Sequence, residues 1–391
     1  MCIRDRQCVG PLQLPLNNLG VMALDFKGKE GIATSIGHTP IAGLFDPVAG
    51  SKNGITEALT NIMWAPLAKG LESVSLSANW MWPCRNEGED ARLYEAVKAV
   101  SDFAIELGIN VPTGKDSLSM KQKYKDGDVI SPGTVVISAA GHCDAITQVV
   151  EPVLQKDGGP LYYINLSKDQ YKIGGSSFAQ IQNKIGNEAP TITDAAYVKT
   201  VFNTMQQAIR AGHVLAGHDV ASGGLITTLL EMCFADVDLG ADLDLTPLGE
   251  SDSIRLLFSE NAGIVVQSKD ESLFDFLKDA QIDVKRIGEV VNEAKLRIRN
   301  HGMEMGLNVV SLRDTWYKTS YLLDQKQSAN NLAQDRFDNF KHQPLLYSFP
   351  KSFNGQLPKV NKARPKAAIL REKGSNSERE MANAMYLAGF D

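Results

Sequence analysis

Hydrophobic and polar positions along residues 19–150 switch between two periods. "LGVMALDF" and "TVVISAAG" are short apolar runs of strand length and predict buried β-strands. "ITEALTNIMWAPLAKG" sets Ile55, Leu59, Ile62 and Met63 on one helical face. "EDARLYEAVKAVSDFAIELG" repeats that spacing with Leu93, Val97, Val100, Ala104 and Leu107, and ends on a glycine stop. Strand and helix patterns interleave, which predicts a layered α/β (α+β) unit.

"EPVLQKDGGP", with its proline and paired glycines, predicts a boundary at 150/151. A second α/β unit follows. "PLYYINL" and "NAGIVVQS" read as strands, "GGSSFAQIQNKIG" as a Gly-Ser turn feeding a helix, and "VLAGHDVASGGLITTLLEMCFAD" as strand, loop and helix. Residues 311–341 form a polar helical stretch with Trp316, Tyr317 and Tyr321, and an irregular Pro-rich linker follows. "KAAILREKGSNSEREMANAMYLAGFD" predicts a strand, a loop and a helix, with Ser377 and Glu380 as a capping box. A lone β-α unit cannot bury both faces, so the expectation is a third domain that continues beyond Asp391. The first six residues, "MCIRDR", fit no pattern and resemble a translated sequencing adaptor, which implies a true start upstream.

Composition narrows the class. The chain has 391 residues, 43% of them hydrophobic and 22% charged, with a net charge of -6. That balance is globular, and no basic stripe argues for nucleic acid. No apolar run approaches a membrane span. Cys2, Cys8, Cys84, Cys143 and Cys233 are scattered and odd in number, as expected of reduced thiols in the cytoplasm.

Candidate chemistry lies in a few short stretches. Glu57 and Asn61 are four apart on a predicted helix, so both project from one face. A carboxylate and an amide oxygen suit Mg²⁺, and an ordinary helix-stabilising pair has the same spacing. In "GHDVASGGL" a strand gives way to Asp219, Ser222 and two glycines at a helix start. Such a start attracts phosphate, and Asp219 would repel it unless a cation intervened. A plain Asp or Ser N-cap is the other reading. His218 reads as a packed or capping histidine, and the tryptophans of "SANWMWPC" as core or interface. "VPTGKDSLSM" offers Lys115 with Ser117 and Ser119 as a phosphate-gripping loop. It is not a Walker A loop, because Ile109 and Asp116 stand where glycine and Ser/Thr are required. Nucleophile-elbow, zinc-helix and dinucleotide fingerprints are missing from the sequence.

Taken in order, "GPLQLPLNN", "EALTNI", "LSANWMW", "GEDARLYEAVKAV", "VPTGKDSLSM", "GHDVASGGL", "LFSENAG" and "AAILREKGSNSEREMANAMYLAGF" resemble the large single-chain phosphoribosylformylglycinamidine synthases. The resemblance implies aminoimidazole-ribonucleotide-synthetase-like A and B domains and the first β-α unit of a class I glutaminase. Residues 1–6 are then a non-native leader, 7–150 the second A domain, 151–310 the second B domain, 311–362 a connector and linker, and 363–391 the glutaminase start. It implies a ligase of purine biosynthesis that uses ATP, Mg²⁺, formylglycinamide ribonucleotide and glutamine-derived ammonia. Partners would be the first synthetase half and the rest of the glutaminase, whose catalytic triad would lie beyond Asp391.

By the same resemblance, Glu57, Asn61 and Asp219 are Mg²⁺ ligands. Asn18 stands where the family commonly has an Asp, so the set is one charge weaker. Asn17 and Ala221 fall at nucleotide contacts, Ala221 through its backbone, and Lys115 is assigned to a phosphate. The resemblance leaves two alternatives: a Mg-nucleotide-binding structural half without activity, or a selenophosphate-synthetase-like or thiamine-monophosphate-kinase-like enzyme. The glutaminase start argues against the latter.

Overall fold

The computed structural model describes residues 8–25, 28–156, 158–342, 348, 350–352 and 363–391. The proposed leader and most of the Pro-rich linker lie outside these. Among the described residues, the first half holds strands β1 (Gly20–Ala23), β2 (Gly31–Gly37), β3 (Val74–Met81) and β4 (Asn110–Ser117). A hairpin of β5 (Lys121–Tyr124) and β6 (Gly127–Ile130) precedes β7 (Thr134–Cys143). The main sheet runs β1-β2-β7-β3-β4, antiparallel except for the β3–β4 pair.

Its helices are α1 (Pro40–Phe45), α2 (Pro47–Ile62) and α3 (Glu89–Leu107). Asp46 starts α2 by accepting the Ala49 N–H at 2.8 Å, ahead of a proline whose missing N–H costs nothing there. Gly108 ends α3 in the left-handed conformation at φ 74. The buried stripe of α3 is Ala96, Ala99, Val100, Phe103, Ala104 and Leu107. Leu93 is half-buried and Val97 exposed, against the expected face. Small alanines permit close packing on α2, so the contact face is rotated toward them.

α2 and α3 cover one side of the sheet. In β2 the inward positions are Gly31, Ala33, Ser35 and Gly37, while Ile32, Thr34 and Ile36 point outward. A Cβ on Gly37 would lie 2.2 Å from the Gly54 carbonyl oxygen, so only glycine allows α2 to approach this strand. The outer side stays open. Met22, Ile32 and Ile36 are 60%, 42% and 58% exposed there.

The second half contains β8 (Pro160–Asn165), α4 (Ser177–Ile181), α5 (Ala195–Arg210), β9 (Val214–Asp219), α6 (Gly224–Phe234), β10 (Gly240–Asp244), α7 (Ser253–Phe258), β11 (Gly263–Ser268), α8 (Ser272–Asp279), β12 (Val284–Val291), β13 (Lys295–Asn300) and β14 (Met303–Asn308). Its sheet runs β14-β13-β10-β12-β8-β11-β9, so β9 is an edge strand that ends at Asp219. α9 (Val309–Gln327) and α10 (Leu332–Asp338) follow, in the stretch expected to be polar and helical.

The two halves on either side of residue 150 pack on each other. They form one compact unit with a shared core containing Trp64, Ile164, Val201 and Val266. Buried Gln206 of α5 donates to the carbonyls of Met63 and Ala65, at 2.5 and 3.0 Å, and accepts the Leu67 N–H at 2.7 Å. The first described residues also cross over: Val9, Leu14 and Leu16 are buried in the second half's core beside Leu229 and Phe234. Trp64 packs on Gly217 of β9, where a Cβ would meet its ring at 2.1 Å. G217A is therefore expected to lose about 1–3 kcal/mol of stability by overpacking, measured by denaturant unfolding.

Residues 363–391 belong to a second unit. Its helix α11 (Glu378–Leu387) forms as expected. The "KAAIL" strand does not: Leu370 is 96% exposed, and no neighbouring strand pairs with this stretch among the described residues. The capping box is also not formed. Ser377 sits at φ 65 and makes no side-chain cap.

Candidate functional site

Two cavities meet where the open sheet face turns into the second half. A groove of about 850 Å³ is lined by Asn17, Asn18, Thr34, Asn61, Ser77 and Thr113, among others. A deeper pocket of about 310 Å³ is lined by Glu57, Ser177, Ala221, Ser222 and Glu260. His38 lines both. Asn17, Asn18 and Asn61 thus line the groove and Glu57 and Ala221 the pocket, with Glu57 and Asn61 one helical turn apart, while Asp219 and Lys115 line neither.

The Glu57 carboxylate accepts the His38 backbone N–H at 2.6 Å. Burial, with the charges of Asp219 and Glu260 adding to it, pushes the Glu57 carboxyl up to about 8. Asp219 is 2% exposed. Its Oδ1 lies 3.2 Å from His218 Nδ1, and its Oδ2 is buried without a hydrogen-bond partner. Asn18 donates through Nδ2 to the Gly217 carbonyl at 3.0 Å, which ties it to β9 and leaves Oδ1 buried and unpartnered. Asn61 Nδ2 faces the Ile36 carbonyl at 3.4 Å, which leaves its own oxygen uncommitted by that bond.

Unpaired buried oxygens are costly unless something meets them. Here they are carboxylate and amide oxygens, the hard donors that Mg²⁺ prefers. Among the described residues, no group of three His, Cys, Asp or Glu side chains is arranged to hold a metal ion. The fit to Mg²⁺ therefore depends on the amides of Asn18 and Asn61 joining Glu57 and Asp219, with water or ligand oxygens completing the shell.

The helix start in "GHDVASGGL" differs from both sequence readings. Gly223, at φ 94, is the N-cap of α6, and neither Asp219 nor Ser222 caps it. The carboxylate of Glu260 accepts the Gly223 N–H at 2.8 Å and the Ser177 N–H at 2.7 Å. A side-chain carboxylate thus occupies donors that a phosphate could have taken. Burial raises its pKa. Sequence reasoning missed Glu260, and the available signal was an acid in the short polar run "SEN" between α7 and β11.

Most of "VPTGKDSLSM" is strand and not loop. Its first seven residues lie in β4, which pairs with β3 in the register Ala78↔Gly114 and Asn79↔Lys115. Lys115 is exposed, bonds to Ser117 Oγ, and lines neither cavity, although Thr113 on the same strand face lines the groove. Asn17 donates to the Leu19 carbonyl at 2.6 Å. His218 is packed, as expected. Burial lowers its pKa, but the flanking Asp219 and Glu231 outweigh that and raise it to about 9. Trp82 is buried and Trp80 packs at its side, with 6.4 Å between ring centroids.

Comparison with known proteins supplies the family. Residues 1–142 match the FGAR-AT PurM_N-like domain, and residues 156–300 match the C-terminal domain of AIR synthase related proteins. The whole chain is 38% identical to the probable phosphoribosylformylglycinamidine synthase of Arabidopsis thaliana and 36% identical to that of Homo sapiens. The chain belongs to the phosphoribosylformylglycinamidine synthase family. It spans 28% and 30% of the length of these two synthases. "T. maritima PurL complexed with FGAR" aligns with 80% of this chain and 52% of its own, at a TM-score of 0.59 and 15% identity. "T. maritima PurL complexed with ATP" aligns with 75% of this chain and 46% of its own, at 0.56 and 17%. At that identity these PurL structures share the fold with this member of the synthase family.

Proposed function

We propose that this chain is the Mg-nucleotide-holding part of a synthase that converts formylglycinamide ribonucleotide, glutamine and ATP into formylglycinamidine ribonucleotide, glutamate, ADP and phosphate. The observation that carries the reading is the pair of buried, unpartnered oxygens, Asn18 Oδ1 and Asp219 Oδ2, beside the desolvated Glu57. Asn18, Glu57, Asn61 and Asp219 would hold Mg²⁺. The cation would neutralise the charge of the nucleotide's phosphates. Among the described residues neither lining includes a lysine or arginine, so most of that duty would fall on the cation. Asn17 and the Ala221 backbone would contact the nucleotide.

Lys115, two residues beyond Thr113 on the same strand face, would reach a phosphate of a ligand lying along the groove. K115M is expected to weaken ADP binding about tenfold, the loss of one charge-assisted contact, read by calorimetry. Unchanged affinity would remove Lys115 from the site.

The second reading is a half that binds nucleotide and turns nothing over. An assay of ammonia-dependent amidine formation, run beside Mg-ADP calorimetry on this chain, separates the two. The expected result is binding without turnover, with activity requiring the remaining length of the family's proteins as partner. Turnover by this chain alone would exclude a purely structural role. We assign the chain to the cytoplasm on its scattered free thiols; among the described residues no helix is long and apolar enough to cross a membrane.

A further inference from the structure

A line of polar side chains behind Asp219 has no role in the reading above. Trp316 of α9 donates its indole N–H to Glu231 Oε1 at 2.9 Å. Glu231, on α6, has its other oxygen 3.0 Å from His218 Nε2. The opposite ring nitrogen of His218 lies 3.2 Å from Asp219 Oδ1. The line runs from a connector helix, through α6, to the end of an edge strand. Its inner members are well enclosed, with His218 and Asp219 side chains 11% and 2% exposed. The Trp316 ring is itself held, packed against Phe234 with 5.7 Å between centroids.

Each link restricts the next. The indole N–H fixes the rotation of the Glu231 carboxylate. Glu231 fixes the His218 ring through one nitrogen, so the other nitrogen faces a single direction. That nitrogen, Nδ1, makes no hydrogen bond and meets Asp219 Oδ1 as an ion-pair contact at 3.2 Å, which draws Oδ1 to the histidine side and leaves Oδ2 on the other. Oδ2 is the oxygen left without a partner. Outer groups that orient a ligating carboxylate change metal affinity without touching the metal.

We propose that His218 and Glu231 are positioning residues that aim Asp219 Oδ2 at a divalent cation, with Trp316 as their anchor. This rests on the cation site proposed above.

The test uses the full 391-residue chain with Mn²⁺ as probe, its affinity read from the electron paramagnetic resonance signal of the free ion. Each variant's unfolding midpoint is measured in chelator. H218F keeps a planar ring and removes both nitrogens, and E231A removes the central link. Both are expected to weaken Mn²⁺ about ten- to a hundredfold. E231Q still has an oxygen for the indole and a polar group for the imidazole, and is expected to restore affinity to within a few-fold of the parent. Should H218F fail to fold, W316F keeps an aromatic ring at that position while losing the indole donor and some volume, and a several-fold loss is expected.

A purely structural role predicts lower midpoints in chelator with parental Mn²⁺ affinity in E231A and W316F. That result would overturn the proposal while leaving the cation site intact. If the parent chain binds no Mn²⁺, the cation site itself fails and this proposal falls with it.

Discussion

D219N is expected to abolish the rise in unfolding midpoint that Mg-ADP is expected to give the parent chain. A ligand that binds only the folded state stabilises it by about 2.7 kcal/mol at a hundred times its dissociation constant. Asp219 is the most enclosed carboxylate of the proposed set, and its unpartnered oxygen is its expected contribution. The amide that replaces it is uncharged, and the set already carries amides at Asn18 and Asn61. One carboxylate would remain against a divalent ion. E57Q is expected to lose the same stabilisation and, in chelator, to melt several degrees above the parent. Its glutamine removes a desolvated carboxylate that lies near Asp219 and Glu260. Scanning fluorimetry with and without Mg-ADP reads both effects. An equal ligand-induced rise in parent and D219N would place the ion elsewhere.

The second large effect concerns the uncovered side of the first sheet. Met22 and Ile32 face each other across the β1–β2 ladder, and Ile36 continues the patch. Contiguous exposed apolar surface of this kind drives association. The parent chain is expected to self-associate at micromolar concentration, and M22K/I32E to sediment as a monomer. The variant sets opposite charges directly across the ladder, a pairing that supports the strands. A monomeric parent would show that the patch is too small to hold a partner by itself. In the intact family proteins we expect the sister synthetase half to cover it.

Local periodicity made most elements legible. β1, β7, β8, β9 and β11 fall on runs whose strand character needs no knowledge of neighbours. Failures occurred where a distant contact decides. Gly114 and Lys115 look like loop punctuation, yet a Cβ at 114 would lie 2.2 Å from the Ala78 carbonyl oxygen. That glycine serves strand approach, and the strand continues through Lys115. The face of α3 was misjudged because alanines, which permit helix contact, carry little hydrophobic weight. "KAAIL" has strand composition, but a strand needs a ladder.

The candidate site was legible in parts. Helical spacing put Glu57 and Asn61 together, whereas Asn18 entered through family resemblance alone. Its position becomes physical only through its bond to Gly217, far along the chain. The role of Glu260 could not be read from "SEN" alone, because its partners are the starts of two separate helices.

Residues 9–16 behave as a strap, fastened to the far half by Leu12 N–H to the Ala235 carbonyl at 3.1 Å and by the tight fit of Gly10 on Ala235. Trimming the leading edge would therefore uncover α6, not the sheet that follows the strap in the chain. A purification tag placed against Val9 would strain the packing at the end of α6, and boundaries drawn from sequence order alone would cut through a knot of mutual support.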